Sequence, residues 1–159
     1  MTSEATLEPL HRLVGTWSTE ATHPALPGVL VHGTAHIEWL EGEQFLIHRA
    51  RTDHPDFPDF ISIIGATGRD RVDQSPDDQQ AGDDSHLSMH YYDSRGVYRV
   101  YQVAIDGTAW RLWRNAAGFS QRFTGTFSDD GDVIAGQWQL CEDDIHWKDD
   151  LRISFHRLH

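Results

Sequence analysis

Five polar side chains sit at two-residue spacing, or in step with it, among apolar neighbours: His90 and Tyr92, Arg99 and Tyr101, and Gln121. Residues two apart share one face of a strand. A histidine, an arginine and two tyrosines on one face offer neutral and charged donors to a carboxylate or carbonyl, and Gln121 adds a donor and an acceptor. Trp17, Trp110, Phe123 and Trp138 supply flat apolar surface around them. That combination suits capture of a small, mainly apolar molecule with a polar or anionic end. The same cluster, with pKa values shifted in an enclosed interior, would also serve a barrel enzyme of the isomerase, cyclase or hydratase type. A third reading is a buried network that satisfies itself, in a scaffold without a ligand.

Other reactive patterns are weaker. There are eleven histidines. His32 and His36, or His86 and His90, are four apart, a spacing that chelates on a helix but separates the rings by about 13 Å on a strand. If 41–43 is a three-residue loop, His36 faces His48, which is two ligands without a third. The apolar side of that hairpin then comprises Val31, Ala35, Ile37, Trp39, Phe45 and Ile47, which turns both histidines to solvent. No metal site is expected. The sequence contains no G-x-S-x-G, H-E-x-x-H, P-loop or G-x-G-x-x-G pattern. Cys141 precedes Glu142, Asp143 and Asp144, whose charges disfavour a thiolate. The chain reads as a binding protein more than as an enzyme.

Composition narrows the partners. The chain has 159 residues, 13 basic against 25 acidic, and a formal charge of -12. Such a chain does not track nucleic-acid phosphates or an anionic membrane. One cysteine excludes an internal disulfide framework. The N-terminus lacks the basic and apolar regions of a secretion signal, and no apolar run approaches membrane-spanning length. The expectation is one soluble, cytoplasmic domain spanning residues 1–159.

The elements that must position these residues are nearly all strands. Residues 6–13 place Leu7, Leu10, Leu13 and Val14 at helical spacing, with Pro9 in the first turn, and stop at Gly15. Thereafter period-two alternation predicts ten strands, at 15–22, 29–39, 45–51, 60–66, 86–92, 97–105, 109–114, 119–128, 133–140 and 147–157. Short connections, each with a glycine beside an acidic residue or Asn, force antiparallel neighbours. The fold class expected is therefore all-β: one ten-stranded antiparallel meander closed into a barrel, with a short N-terminal helix. Residues 52–59, with Pro55, Phe57 and Pro58, are placed over a barrel mouth. The acidic stretch 68–85 reads as a solvated loop.

Loop lengths then set register. With 93–96 as a four-residue loop, His90 faces Arg99 and Tyr92 faces Val97. With Asp106-Gly107 as a two-residue loop, Tyr101 faces Leu112. With 115–118 closing the next hairpin, Leu112 faces Gln121 and Trp110 faces Phe123. One apolar face thus crosses six strands, interrupted only by the five polar residues. The other face of that sheet presents Leu87, Met89, Tyr91, Tyr98, Val100 and Trp113, a patch suited to a homodimer.

Leu13-Val14-Gly15-Thr16-Trp17 enters the first strand, and Arg157 at the end of the last strand is placed to stack on Trp17. This entry, the ten-strand meander and the arginine-bearing final strand resemble calycin-type barrels: lipocalins, fatty-acid-binding proteins and especially nitrobindin-like proteins. The chain also resembles bacterial DUF1579-type proteins. The resemblance implies a small apolar molecule, or haem, in the barrel interior. Nitrobindin-like members carry the haem-ligating histidine at the head of the last strand, where this chain has Asp150, a poor axial ligand. Haem with nitric-oxide or peroxynitrite chemistry is thus the alternative, and it requires another histidine, with His90 the candidate.

Overall fold

A computed structural model describes residues 6–67 and 86–159. The stretch 68–85 expected as a solvated loop lies outside the described residues. A 3-10 helix, Glu8–Leu13, is followed by ten strands: β1 (Gly15–Thr22), β2 (Val31–Trp39), β3 (Phe45–Thr52), β4 (Phe60–Thr67), β5 (His86–Asp93), β6 (Tyr98–Asp106), β7 (Ala109–Arg114), β8 (Ser120–Phe127), β9 (Val133–Cys141) and β10 (Lys148–Arg157). Each strand pairs antiparallel with its sequence neighbours, and β1 pairs with β10 to close the barrel. The expected strands all form, within two residues of their expected ends. The helical segment is real but takes the tighter 3-10 form.

One end of the cylinder is plugged. Leu10 and Leu13 of the 3-10 helix are fully buried there, and Trp17 beneath them donates its indole N–H to the Leu13 carbonyl at 3.0 Å. The Arg157 guanidinium lies over the Trp17 ring, 4.1 Å from its centroid, as the sequence suggested. It donates to the carbonyls of Val14 and Arg12 and pairs with Asp132 at 3.1 Å. Gly15, at φ 147°, lies against this guanidinium, where a Cβ would collide with it. One side chain therefore ties the chain ahead of β1 and the β8–β9 turn to the end of β10, where the β1–β10 ladder closes the seam.

Two hairpins depart from the expected register by one residue, and each of these departures turns the faces of a strand over. Between β2 and β3 the loop has four residues, 41–44: Leu40 N–H bonds the Phe45 carbonyl and Ile37 faces His48. Leu46 and His48 consequently turn inward and are buried, whereas Phe45 turns out and is 40% exposed. Its ring covers Gly65 on β4, where a Cβ would lie 2.3 Å from it. His36 faces Arg49 and is exposed, as expected of it, but His48 is not.

Between β5 and β6 the loop has three residues, 94–96, with Gly96 at φ 83°. Asp93 sets this length. Its carboxylate accepts the backbone N–H groups of Arg95 and Val97, at 2.9 and 3.2 Å. Tyr91 therefore faces Arg99, and Tyr92 faces Tyr98. Leu87 and Met89 are buried and Tyr91 joins them, while His90 and Tyr92 go to the outer face. The outer patch expected to carry a dimer thus loses Leu87, Met89 and Tyr91, and keeps Tyr98, Val100 and Trp113. The later hairpins also slide, with Val103 rather than Tyr101 facing Leu112 and Leu112 rather than Trp110 facing Phe123, but by even numbers, so the inward residues stay inward.

Arg157→Met should destabilise the protein by about 2 kcal/mol, the worth of charge-assisted hydrogen bonds and one cation–π contact. Urea unfolding followed by tryptophan fluorescence measures this. An unchanged midpoint would show that the seam does not need the guanidinium.

Candidate functional site

Inward side chains of the unplugged half enclose a cavity of about 450 Å³. Ala25, Leu26, Asp56, Phe57 and Pro58 line its rim, so the 52–59 loop does sit at the mouth. Deeper, eight rings follow one another around the wall with centroids 4.9 to 6.3 Å apart: His48, Phe60, Tyr91, Tyr101, Trp138, Phe123, Trp110, Phe155 and back to His48. Every contact is edge-on or tilted, the arrangement ring quadrupoles favour. Glycine makes room for it. Gly125 faces Gly136 across β8 and β9, and the Phe123 ring lies over both; a Cβ on Gly136 would be 2.4 Å from it.

Polar groups concentrate on the β5–β8 side near the rim. The Asp93 carboxylate, shut off from solvent, receives the Tyr91 hydroxyl at 2.8 Å and the Arg95 guanidinium at 2.6 Å. Burial alone would raise its pKa, but these hydrogen bonds and two backbone N–H groups hold it well below the carboxylate range. Burial, and then the bond to Asp93, push the Tyr91 phenol far up. Tyr101 donates to Gln121 Oε1 at 2.9 Å; burial raises its pKa too, against the opposing pull of Arg99 and Arg114. Both phenols are therefore neutral donors at physiological pH. Arg99 lines the cavity with its guanidinium 5.1 Å from the Phe119 ring centroid. Among the described residues no carboxylate pairs with it.

The opposite wall is different in kind. His48 is 3% exposed, and neither ring nitrogen has a protein hydrogen-bond partner. Ser62, facing it on β4, is fully buried with an equally unpartnered hydroxyl, and the Trp110 indole N–H is unpartnered as well. Burial lowers the His48 pKa to about 4, so its ring is neutral at pH 7 and presents one donor and one acceptor. Unpartnered buried polar atoms are rare and costly.

A second histidine, His23, bonds Asp150 at the mouth through Nε2 at 2.7 Å, while its Nδ1 accepts the Ala25 backbone N–H at 3.0 Å. The ring is thus the Nε2–H tautomer with both nitrogens committed. It holds the β1–β2 connection to β10 and has no free lone pair for base catalysis.

Of the nine residues the sequence nominated, Arg99, Tyr101, Gln121, Trp110, Phe123 and Trp138 line the cavity together. Trp17 lies in the plug beside Phe155, off the cavity wall. His90 and Tyr92 are outside: His90 Nδ1 shares a hydrogen bond with the Tyr98 hydroxyl at 3.0 Å, and Tyr92 stacks on Tyr98 at 5.0 Å. His90 consequently cannot ligate a group in the barrel. Asp150, which stands where the resembled family has its ligating histidine, is bonded to His23, so neither it nor the nominated His90 suits haem. Sequence reasoning missed His48, Ser62, Tyr91 and Arg95. A signal for Tyr91 existed, since Leu87, Met89 and Tyr91 form the more apolar of the two β5 faces.

No family model and no curated protein matches the chain. Among solved structures it is similar to the crystal structure of Rv2717c from M. tuberculosis, at 15% identity and a TM-score of 0.61, over 96% of this chain and 97% of that one. At that identity the likeness is one of fold: the same barrel architecture end to end.

His48 makes stability depend on pH. Its pKa is 6.5 when unfolded and about 4 when folded. Between those values the unfolded chain holds the extra proton, so the folded state is fully favoured above pH 6.5 and loses about 3 kcal/mol as the pH falls through 4. Denaturant titrations at pH 7 and pH 4.5 should show most of that loss in the wild type and not in His48→Leu. Equal losses in both proteins would place the titration elsewhere.

Proposed function

We propose that the protein is a calycin-type barrel that binds a small, mainly apolar molecule through an acidic end, with Arg99, Tyr101 and Gln121 meeting that end and Trp110, Phe123 and Trp138 holding its body. The observation that carries this reading is Arg99. It is a permanently charged guanidinium lining an aromatic cavity, without a carboxylate partner among the described residues, in a chain of net charge -12. A structural arginine is normally paired; a binding arginine waits for its anion. Gln121, whose Oε1 accepts the Tyr101 hydroxyl, keeps its amide N–H donors for the same side, and the cavity volume suits a compact ligand. The likeness in architecture to a solved barrel and the resemblance to fatty-acid-binding proteins support the same reading. The outer patch of Tyr92, Tyr98, Val100 and Trp113 is compatible with a homodimer, which the reading does not require.

2-Naphthoate is a suitable probe, a flat apolar body with one carboxylate. Arg99→Ala should weaken its binding by at least tenfold, since a charge-assisted hydrogen bond is worth about 1.5–3 kcal/mol. Neutral naphthalene should bind both proteins alike. Calorimetric titration of both ligands tests this, and equal 2-naphthoate affinities would remove Arg99 from the site.

A further inference from the structure

Three orphaned polar groups lie away from the rim that Arg99 guards. His48 and Trp110 both line the cavity and both pack on Phe155, with centroid distances of 6.3 and 5.8 Å. Ser62 faces His48 across the β3–β4 ladder. None has a protein partner, and His48 and Ser62 are at least 97% removed from solvent. Replacing His48 by an apolar residue of similar size would remove two unpaired nitrogens from the core, so packing alone gives no reason for a histidine. The surrounding belt is aromatic on every side, which favours a flat ring between its edges and faces.

We propose that the cavity takes a two-ended aromatic acid: the acidic group at Arg99, and a neutral hydroxyl or carbonyl at the far end, held by His48 and the Trp110 indole N–H. A neutral imidazole meets a hydroxyl through one ring nitrogen, as donor or as acceptor, and the Trp110 indole N–H supplies a further donor on the cavity wall. An ionised group at that depth would lie among apolar rings without a counter-charge, so the inner end is uncharged. The proposal rests on the acid-binding reading for the outer end only; the inner end is independent of it.

The test compares 2-naphthoate with 6-hydroxy-2-naphthoate, which differ only by a hydroxyl opposite the carboxylate. The wild type should bind the hydroxy acid at least tenfold more tightly, because the bare acid leaves buried polar groups unpaired. In His48→Leu that ratio should collapse toward one; Trp110→Phe, a smaller change, should reduce it and guards against a folding defect in the first variant. Equal affinity of the two acids for the wild type, as expected if water satisfies these groups, would overturn the proposal. Should neither acid bind, the acid-binding reading fails, and the inner site is judged by 2-naphthol against naphthalene: a tenfold preference for the naphthol sustains it, and none overturns it. A Soret band formed with haemin and lost in His48→Leu would overturn it too, by assigning that ring to iron.

Discussion

Closure of the sheet is the constraint on which the rest depends. With β1 hydrogen-bonded to β10 there is no free edge, and every inward side chain must find company inside the cylinder. The plug of Leu10 and Leu13 removes one exit, leaving the mouth lined by Phe57 and Pro58. Along its regular stretches a closed wall also fixes parity, a residue being in or out and its two neighbours the opposite, and in β10 this shifts only at the irregularity between Asp149 and Arg152. The chemistry of the interior is thus decided by which residue of each pair the ladder turns inward. His48 and Arg99 belong inside by that rule, and His90 belongs outside by the same rule.

That dependence explains how much could be read in advance. Alternation and glycine-bearing turns disclosed all ten strands, the barrel, and the inward placement of Tyr101, Trp110, Phe123 and Trp138. Parity on β3 and β5 was another matter, because it turns on whether a loop has three residues or four. On β5 the deciding agent is Asp93, whose carboxylate closes a three-residue turn with Gly96 in the left-handed region. Read as a four-residue loop, the same sequence puts His90 where Tyr91 belongs. On β3, Phe45 and Ile47 look like core residues and His48 like surface, yet Phe45 is spent covering Gly65. Propensity favours the wrong face there, and tertiary packing overrides it.

The interior that results is uneven in a useful way. Tyr91, Asp93, Arg95, Tyr101 and Gln121 satisfy one another on the rim side, with bonds of 2.6 to 2.9 Å, and give that wall a fixed shape. His48, Ser62 and Trp110 do not satisfy one another. A core selected only for stability would have replaced them with hydrocarbon. On the proposed reading, a guest's polar end supplies the partner that His48 and Trp110 lack.

The seam carries a consequence for synthesis. The strand that closes the cylinder is the last of the ten to leave the ribosome, and Arg157, which fastens it, lies at that strand's end. Until then β1 and β9 are bare edges with unmet backbone groups, open to pairing with a neighbouring nascent chain. A chain cut short within β10 would therefore lose more than a few residues, for it would leave an open sheet with two unpaired edges.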